Sequence, residues 1–248
     1  MRSVILCEGS TDFVLLQHFM RRTYQWEYKS NKQINIAGQS ARECTLQKDD
    51  NTVSIIGCGG CNRLIPCLNY ELMLNSVSAL GEAYDKIVII TDRDEVLTEQ
   101  EFSEQIEYQI KVYNGKYSGL ITNNEWMEFS FINGYGDELK TKLLMLVIPF
   151  EETGAMETFL LNAIAEQDEY DKYIINQCNA FVDNVDNQRK YLNKRRYITK
   201  AKFDVYFSVR TSAEQFNERR NIIKNVAWEK YPLIQNLSLI HISEPTRL

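Results

Sequence analysis

Three acidic residues follow two short apolar stretches, and their spacing is suited to holding a cation. Glu8 follows the stretch 3–7, and Asp92 and Asp94 follow the stretch 86–91. Two residues apart on an extended chain, Asp92 and Asp94 leave the backbone on the same side, as two oxygen ligands of one hard cation must. Three carboxylates about 5 Å apart repel by about 3 kcal/mol per pair at an effective dielectric of about 20. The cluster therefore needs shared protons or a cation, Mg²⁺ or Mn²⁺; a solvated acidic loop is the alternative.

The surrounding pattern predicts three strand-turn-helix units in series. Each short apolar run is followed by a polar turn and then by helical spacing. The first predicted strand, 3–7, is followed by a helix from residue 12. The second strand, 52–56, is followed by a helix over 62–80, and the third strand, 86–91, by a helix over 98–113. Such a series predicts an α/β fold with a parallel sheet flanked by helices. The turns at the carboxyl ends of the strands should share one edge, which would bring Glu8, Gly57–Gly60, Asp92 and Asp94 together.

The remaining segments complete the predicted organisation. Residues 23–52 read as a polar, irregular insertion with a hairpin turn at 49–51, and a second hairpin pairs 126–132 with 139–148. From Gly154 onward the pattern is helical. We expect an α/β domain over 1–150 and a helical C-terminal extension over 151–236.

Composition describes an ordinary folded chain of 248 residues, with 44% apolar and 25% charged residues. A net charge of −6 argues against nucleic-acid binding through bulk positive charge, although a bound cation or a local basic stripe can still hold phosphates. The sequence has no run of about 18 apolar residues to span a membrane. We expect a cytoplasmic protein with its six cysteines reduced.

The last residues need separate treatment. Residues 237–248 resemble a translated sequencing adapter and are expected to be an artefact, with the natural end beyond Asn236 missing. Without them His18 is the only histidine, so a histidine triad or a multi-histidine zinc site lacks its residues.

Two segments carry a resemblance to a known family. Residues 4–12 (VILCEGSTD) resemble the glutamate motif of TOPRIM domains, and 87–94 (IVIITDRD) resemble their Asp-x-Asp motif. TOPRIM is the catalytic module of type IA and II topoisomerases, bacterial primases and OLD-family (overcoming lysogenization defect) nucleases. The resemblance implies a Rossmann-like core, with Glu8 as general acid/base or metal-contacting carboxylate and Asp92 and Asp94 as metal ligands.

Within that family the sequence looks most like OLD-type nucleases and small stand-alone TOPRIM proteins. The resemblance is carried by the Glu-Gly-x-Thr-Asp form and the glycines of 57–60. It implies Glu157 as a further metal ligand and Lys200 as a catalytic lysine. An exposed helical glutamate and a solvated lysine are the alternatives.

Glycines and basic residues supply the candidate phosphate contacts. Glycine backbones allow N–H groups to approach a phosphate, and 194–202 is the most basic stretch, interleaved with aromatic residues. The candidates for binding phosphate or nucleic acid are Gly9, Gly57, Gly59, Gly60, Arg63, Arg195 and Arg196. A solvated helix face is the alternative for the basic stretch, and a zinc site at Cys58, Cys61 and Cys67 is the alternative for the glycine segment.

These features together predict a metal-dependent nuclease, an endonuclease on DNA or RNA, with a role in phage defence or DNA repair. The alternatives are a non-catalytic TOPRIM module that binds nucleic acid or an ATPase, and a primase-like nucleotidyl transferase. The chain has no Gly-x-x-x-x-Gly-Lys-Ser/Thr loop, so any ATPase would be a separate partner. A second copy of the chain is the other protein partner considered.

Overall fold

The computed structural model describes residues 1–211 and 219–243. Its strands are β1 (Arg2–Cys7), β2 (Glu27–Ile36), β3 (Gln39–Lys48), β4 (Asn51–Gly57), β5 (Lys86–Asp92), β6 (Lys116–Tyr117), β7 (Trp126–Ile132) and β8 (Glu138–Ile148). Its α-helices are α1 (Ser10–Tyr24), α2 (Leu64–Val77), α3 (Thr98–Val112), α4 (Met156–Gln167), α5 (Glu169–Val185), α6 (Arg195–Arg210), α7 (Arg219–Asn225) and α8 (Pro232–Gln235). The three predicted strand-turn-helix units are therefore confirmed, as is the helical pattern after Gly154.

All eight strands form one sheet, in the order β2-β3-β4-β1-β5-β8-β7-β6. The four central strands, β4, β1, β5 and β8, run parallel, and the strands outside them are antiparallel. The protein is thus α/β, but the sheet is mixed, and the prediction of a parallel sheet holds only for its centre. The predicted hairpin of 126–132 and 139–148 is present, and its second strand, β8, is also the fourth parallel strand.

The prediction that residues 23–52 are irregular was wrong. They contain β2 and β3, two ten-residue strands that extend the sheet beyond β4. Most β2 side chains are exposed, so the strand lacks the alternation of apolar and polar residues that identifies a half-buried strand. The predicted turn at Asp49 and Asp50 is confirmed, because it joins β3 to β4.

The two faces of the sheet bury separate cores, and the alternation of side chains along each strand divides the residues between them. In β1, Ile5 and Cys7 face α1 and the C-terminal helices, while Val4 and Leu6 face α2 and α3. In β5, Val88 and Ile90 belong to the first core. The continuous apolar runs of these strands follow from burial on both faces.

The C-terminal helices complete the first core instead of forming one of their own. Phe159 of α4, Phe203 and Phe207 of α6, and Trp228 after α7 are buried in the same cluster as α1. This packing holds the beginnings of α4 and α6 over the edge of the sheet where the parallel strands end.

Part of the segment predicted to be adapter-derived also contacts this core. Leu239 and Ile242 are buried, and Trp126 Nε1 donates to the carbonyl of Ser238 at 3.1 Å. Residues 244–248 lie outside the described residues. The artefactual origin of 237–248 stays a prediction.

Candidate functional site

A cavity of about 310 Å³ lies at the carboxyl ends of β1 and β5. Its lining comes from five places: the start of α1, the glycine loop after β4, the end of β5, the beginning of α4 and the first turns of α6. The lining residues are Glu8, Gly9, Ser10, Thr11, Asp12, Gly59, Gly60, Asp92, Ala155, Glu157, Arg196, Thr199 and Lys200. Most of the residues singled out in the sequence therefore share one cavity.

The strand order explains why the cavity forms at this point. Across the sheet, the parallel strands lie in the order β4, β1, β5, β8. The chain therefore passes from β1 to β4 on one side, and then to β5 on the other side of β1. An open α/β sheet has its crevice where the order reverses, outside the carboxyl ends of the strands. Here that point is between β1 and β5, the strands that lead to Glu8 and Asp92.

Asp12 anchors the beginning of α1. Its Oδ2 accepts the backbone N–H of Gly9 at 2.8 Å, which satisfies one of the N–H groups left free at a helix start. Only 6% of Asp12 is exposed. A buried carboxylate therefore lies directly beside Glu8.

The beginning of α4 faces the end of β5. The backbone N–H of Met156 donates to Asp92 Oδ1 at 3.0 Å, and Thr11 Oγ1 of α1 donates to Glu157 Oε1 at 3.0 Å. The starts of α1 and α4 thus both lie at the cavity, where their positive dipole ends offset part of the negative charge. Glu157 is buried, which excludes the alternative of an exposed helical glutamate.

The acidic side chains raise one another's proton affinity. Burial raises the pKa of Asp92, and the charges of Asp12, Glu8 and Glu157 raise it further. Burial also raises the pKa of Asp12, against the Gly9 N–H, and Glu157 and Glu8 add to the increase. The pKa of Glu8 is raised overall, because the effect of burial exceeds that of the hydrogen bonds that lower it. Those hydrogen bonds come from the backbone of Asp92, from Thr91 and from the backbone of Cys61. We call Glu8, Asp12, Asp92 and Glu157 the carboxylate cluster.

Helix α6 places basic groups opposite the carboxylate cluster. Arg196, Thr199 and Lys200 line the cavity. Their spacing of three and four residues puts them on one face of the helix. Lys200 is half-buried at this position, so the cavity combines acidic and basic walls.

Asp94 lies apart from the carboxylate cluster. It is not part of the cavity lining, and its carboxylate is paired with the guanidinium of Arg195, which also donates to the carbonyl of Arg93 at 3.3 Å. Strand β5 ends at Asp92, so the extended backbone that would place Asp92 and Asp94 on one side does not continue. Arg195 therefore ties α6 to the end of β5.

The glycine loop is hydrogen-bonded to Glu8. The N–H groups of Gly59 and Gly60 both donate to the carbonyl of Glu8, at 3.0 and 2.9 Å, and the N–H of Gly9 is bound to Asp12. These donors have partners within the chain, and phosphate binding by the glycines stays a prediction. Gly59 and Gly60 have φ of 90° and 141°, and this backbone turns the loop back onto the strand end.

Two other predicted phosphate contacts lie on the far side of this loop. Arg63 Nη1 donates to the carbonyl of Ser40 at 3.0 Å, which fastens β3 to the loop. Gly57 lines a neighbouring cavity of about 410 Å³ that shares Gly9, Ser10 and Gly59 with the first.

The described residues do not contain a preformed metal site. In that part of the chain, no group of three His, Cys, Asp or Glu side chains is gathered closely enough to hold an ion. For the zinc alternative, Cys58 and Cys67 are buried while Cys61 is exposed. The carboxylate cluster surrounds the cavity and does not converge on one point.

Sequence reasoning missed Asp12 and Thr11 as site residues. Both belong to the segment 4–12 that carries the family resemblance, but its pattern assigns a role only to Glu8. Its burial next to Glu157, 145 positions away in the chain, could not be read from local spacing. Arg93 was also missed: it is buried, and it binds the carbonyl of Pro149 at 2.7 Å and Glu99 at 2.6 Å, which holds the end of β5 in place.

The chain belongs to the family DUF3226, described as a protein of unknown function, which matches residues 2–238. No curated protein matches it. Among solved structures, it is similar to a hypothetical protein, PH0156, from Pyrococcus horikoshii OT3, with 15% identity and a TM-score of 0.49 over 96% of this chain and 99% of that one. It is also similar to a glyoxalase family protein from Enterococcus faecalis (9% identity, TM-score 0.19, 56% and 92% covered). The cytosolic domain of FeoB from L. pneumophila is a third (12% identity, TM-score 0.25, 96% and 98% covered). Neither fold nor function is inferred from likenesses at these TM-scores.

Among the helices of the described residues, none combines the length and the apolar character needed to cross a bilayer.

Proposed function

We propose that this protein is a metal-dependent nuclease with a TOPRIM-type, Rossmann-like core that hydrolyses phosphodiester bonds of DNA or RNA. The observation that carries the proposal is the shared cavity at the strand switch point, where Glu8 and Asp92 meet Glu157 and Lys200. The resemblance implied these four residues from separate parts of the sequence. Their common location supports it.

The carboxylate cluster is chemically suited to Mg²⁺ or Mn²⁺. Carboxylate oxygens are the ligands these hard cations take. Burial raises the pKa values of Asp12 and Asp92, and repulsion by the neighbouring carboxylates adds to the increase; a cation would relieve that repulsion. Glu8, Asp92 and Glu157, joined by Asp12, are the residues that would hold it. When bound, Mg²⁺ would act as a Lewis acid on the phosphoryl oxygen and lower the pKa of a bound water.

The residues of the chain itself account for substrate binding. Lys200 and Arg196 line the same cavity as the carboxylate cluster, where their charges would bind the non-bridging oxygens of a phosphodiester. Glu8, with its pKa raised by burial, is placed to accept a proton from the attacking water and later return it. Thr11 keeps Glu157 in position.

A cleavage assay tests the proposal. Supercoiled plasmid and structured RNA are incubated with Mg²⁺ or Mn²⁺, with and without EDTA, beside a Glu8→Ala variant whose fold is checked by circular dichroism. We expect cleavage that is lost both in EDTA and in the variant. Equal cleavage by wild type and Glu8→Ala would refute the assignment of the site.

The second candidate is a non-catalytic module that binds nucleic acid. It is favoured by two observations: in the described residues the acidic groups are not gathered for metal binding, and Asp94 is engaged by Arg195. This candidate predicts binding that is unchanged by EDTA, with no turnover of plasmid or RNA under any cation.

A further inference from the structure

A second cavity adjoins the proposed catalytic one and is built mainly by the β2–β3 hairpin. Its volume is about 410 Å³, and its walls include Gln33, Ser40 and Arg42 of the hairpin and Phe13 of α1. Gly9, Ser10 and Gly59 line both cavities, so the two are direct neighbours. Cavities of roughly 300–1,000 Å³ are the size that holds small organic groups.

The walls of this cavity suit a nucleobase. The side chains of Gln33, Ser40 and Arg42 offer donors and acceptors, while Gly57 and Phe13 provide an apolar floor. A Cβ atom at Gly57 would lie 3.3 Å from the Phe13 ring, so the glycine lets this ring pack closely against the backbone of the floor. A base has an apolar face and a polar edge, and needs both kinds of wall.

The hairpin wall is fixed in place. Arg63 Nη1 donates to the carbonyl of Ser40 at 3.0 Å, and β3 pairs with β4 along its length. Arg42 pairs with Gly57 in that register, which places its backbone beside the glycine loop.

We propose that this cavity binds the base of the nucleotide next to the scissile phosphate, and that the substrate is therefore single-stranded. The inference rests on the proposed function, which places the phosphate in the adjoining cavity. A base inserted between the hairpin and α1 has its edge turned toward Gln33 and Arg42 and cannot be paired. A duplex would first have to unpair and flip that base, which costs a few kcal/mol.

Two variants test the cavity, and a third serves as control. Arg42→Ala removes a charged contact, and Gln33→Trp fills the cavity with an indole; both positions are exposed on the hairpin, so the core is untouched. The control is Lys29→Ala, which also removes one positive charge from the hairpin. Lys29 lies on β2 four residues before Gln33, about 13 Å along the strand. Binding is measured by fluorescence anisotropy in Ca²⁺ with labelled oligothymidylate, oligouridylate and a hairpin duplex.

We expect the wild type and Lys29→Ala to bind the single strands more tightly than the duplex. Arg42→Ala and Gln33→Trp should weaken single-strand binding by about tenfold, the scale of one lost base contact. The proposal is overturned if both variants bind like the wild type, if the duplex binds as tightly as the single strands, or if the wild type binds no strand. A parallel cleavage assay in Mg²⁺ separates the two ideas: variant-sensitive binding without turnover refutes the nuclease and keeps the base cavity.

Discussion

Two groups of buried acidic residues lie on this sheet, and they differ in what surrounds them. The carboxylate cluster borders a cavity with Lys200 and Arg196 on its far wall. The other group is Glu71 of α2, 2% exposed, together with Glu43 of β3, which accepts a hydrogen bond from Ser54 at 2.7 Å and pairs with Lys32 at 3.1 Å.

Burial raises the pKa in both places, but the carboxylate cluster borders a cavity of about 310 Å³ whereas Glu71 is 2% exposed. Burial raises the pKa of Glu71 to about 8, and the charges of Glu43 and Cys67 add to the effect. Among the described residues, its Oε2 has no hydrogen-bond partner. Glu71 is surrounded by packed side chains, so its charge is neutralised by binding a proton. The cavity beside the carboxylate cluster can instead admit a cation. Raised proton affinity by itself therefore does not identify an active site.

Matched substitutions in the two groups give the largest expected difference. Glu8→Gln should lower the cleavage rate by at least about a hundredfold, because it removes a group placed for proton transfer. Glu71→Gln should leave the rate within about twofold, since the position lies away from the cavity lining. Initial rates on plasmid and RNA measure both. Equal losses in the two variants would mean that the two groups do not differ in role.

The next test of the comparison measures cation binding by its effect on thermal stability. At a hundredfold excess over its dissociation constant, Mg²⁺ should stabilise the wild type by about 2.7 kcal/mol and raise Tm by about 5–10 °C. Asp92→Asn should abolish the shift, whereas Asp94→Asn should keep it because Asp94 is paired with Arg195 outside the cavity. A shift lost equally in both variants would restore Asp94 as a ligand, as the sequence predicted.

The pH dependence of stability tests whether Glu71 is protonated in the folded protein. The pKa of Glu71 is about 8 in the folded protein against an ordinary value of 4.5, so the folded chain holds a proton that the unfolded chain releases. This stability is complete below pH 4.5 and is lost as pH rises through 8, with a slope of up to about 1.4 kcal/mol per pH unit. Glu71→Gln should remove that part of the slope in urea unfolding measured from pH 5 to 9. Identical slopes in variant and wild type would contradict a protonated Glu71.

The smallest effect concerns the hydrogen bond from Thr11 to Glu157. Thr11→Val removes the donor and should cost about 1–2 kcal/mol of unfolding free energy, because a buried carboxylate loses a partner. Thr11→Ser keeps the hydroxyl and should behave like the wild type. Urea unfolding at pH 7 measures both variants, and an unchanged free energy in Thr11→Val would show that this bond is not maintained in solution.

Local patterns predicted the central strands better than the edges. The runs around β1 and β5 are apolar and β-branched because both faces are covered, and that signal depends only on neighbouring residues. The edge strand β2 escaped prediction because a strand exposed on both faces has no hydrophobic period. Its neighbour β3 buries Ala41, Cys44 and Leu46, but most of its other residues are polar, so it also lacks a regular apolar alternation. The parallel pairing of β8 with β5 was missed for another reason: strand partners far apart in sequence leave no local pattern.

The sequence by itself determined the strand-turn-helix order and placed Glu8 and Asp92 at the ends of strands, since apolar periodicity and turn residues act over a few positions. Only the tertiary structure decided which acidic groups meet. It buried Asp12 and Glu157 together, turned Asp94 away to Arg195, and brought Lys200 across the cavity. The physical reason is that packing of α4 and α6 against the α1 core sets these distances, and that packing depends on contacts between residues far apart in the chain.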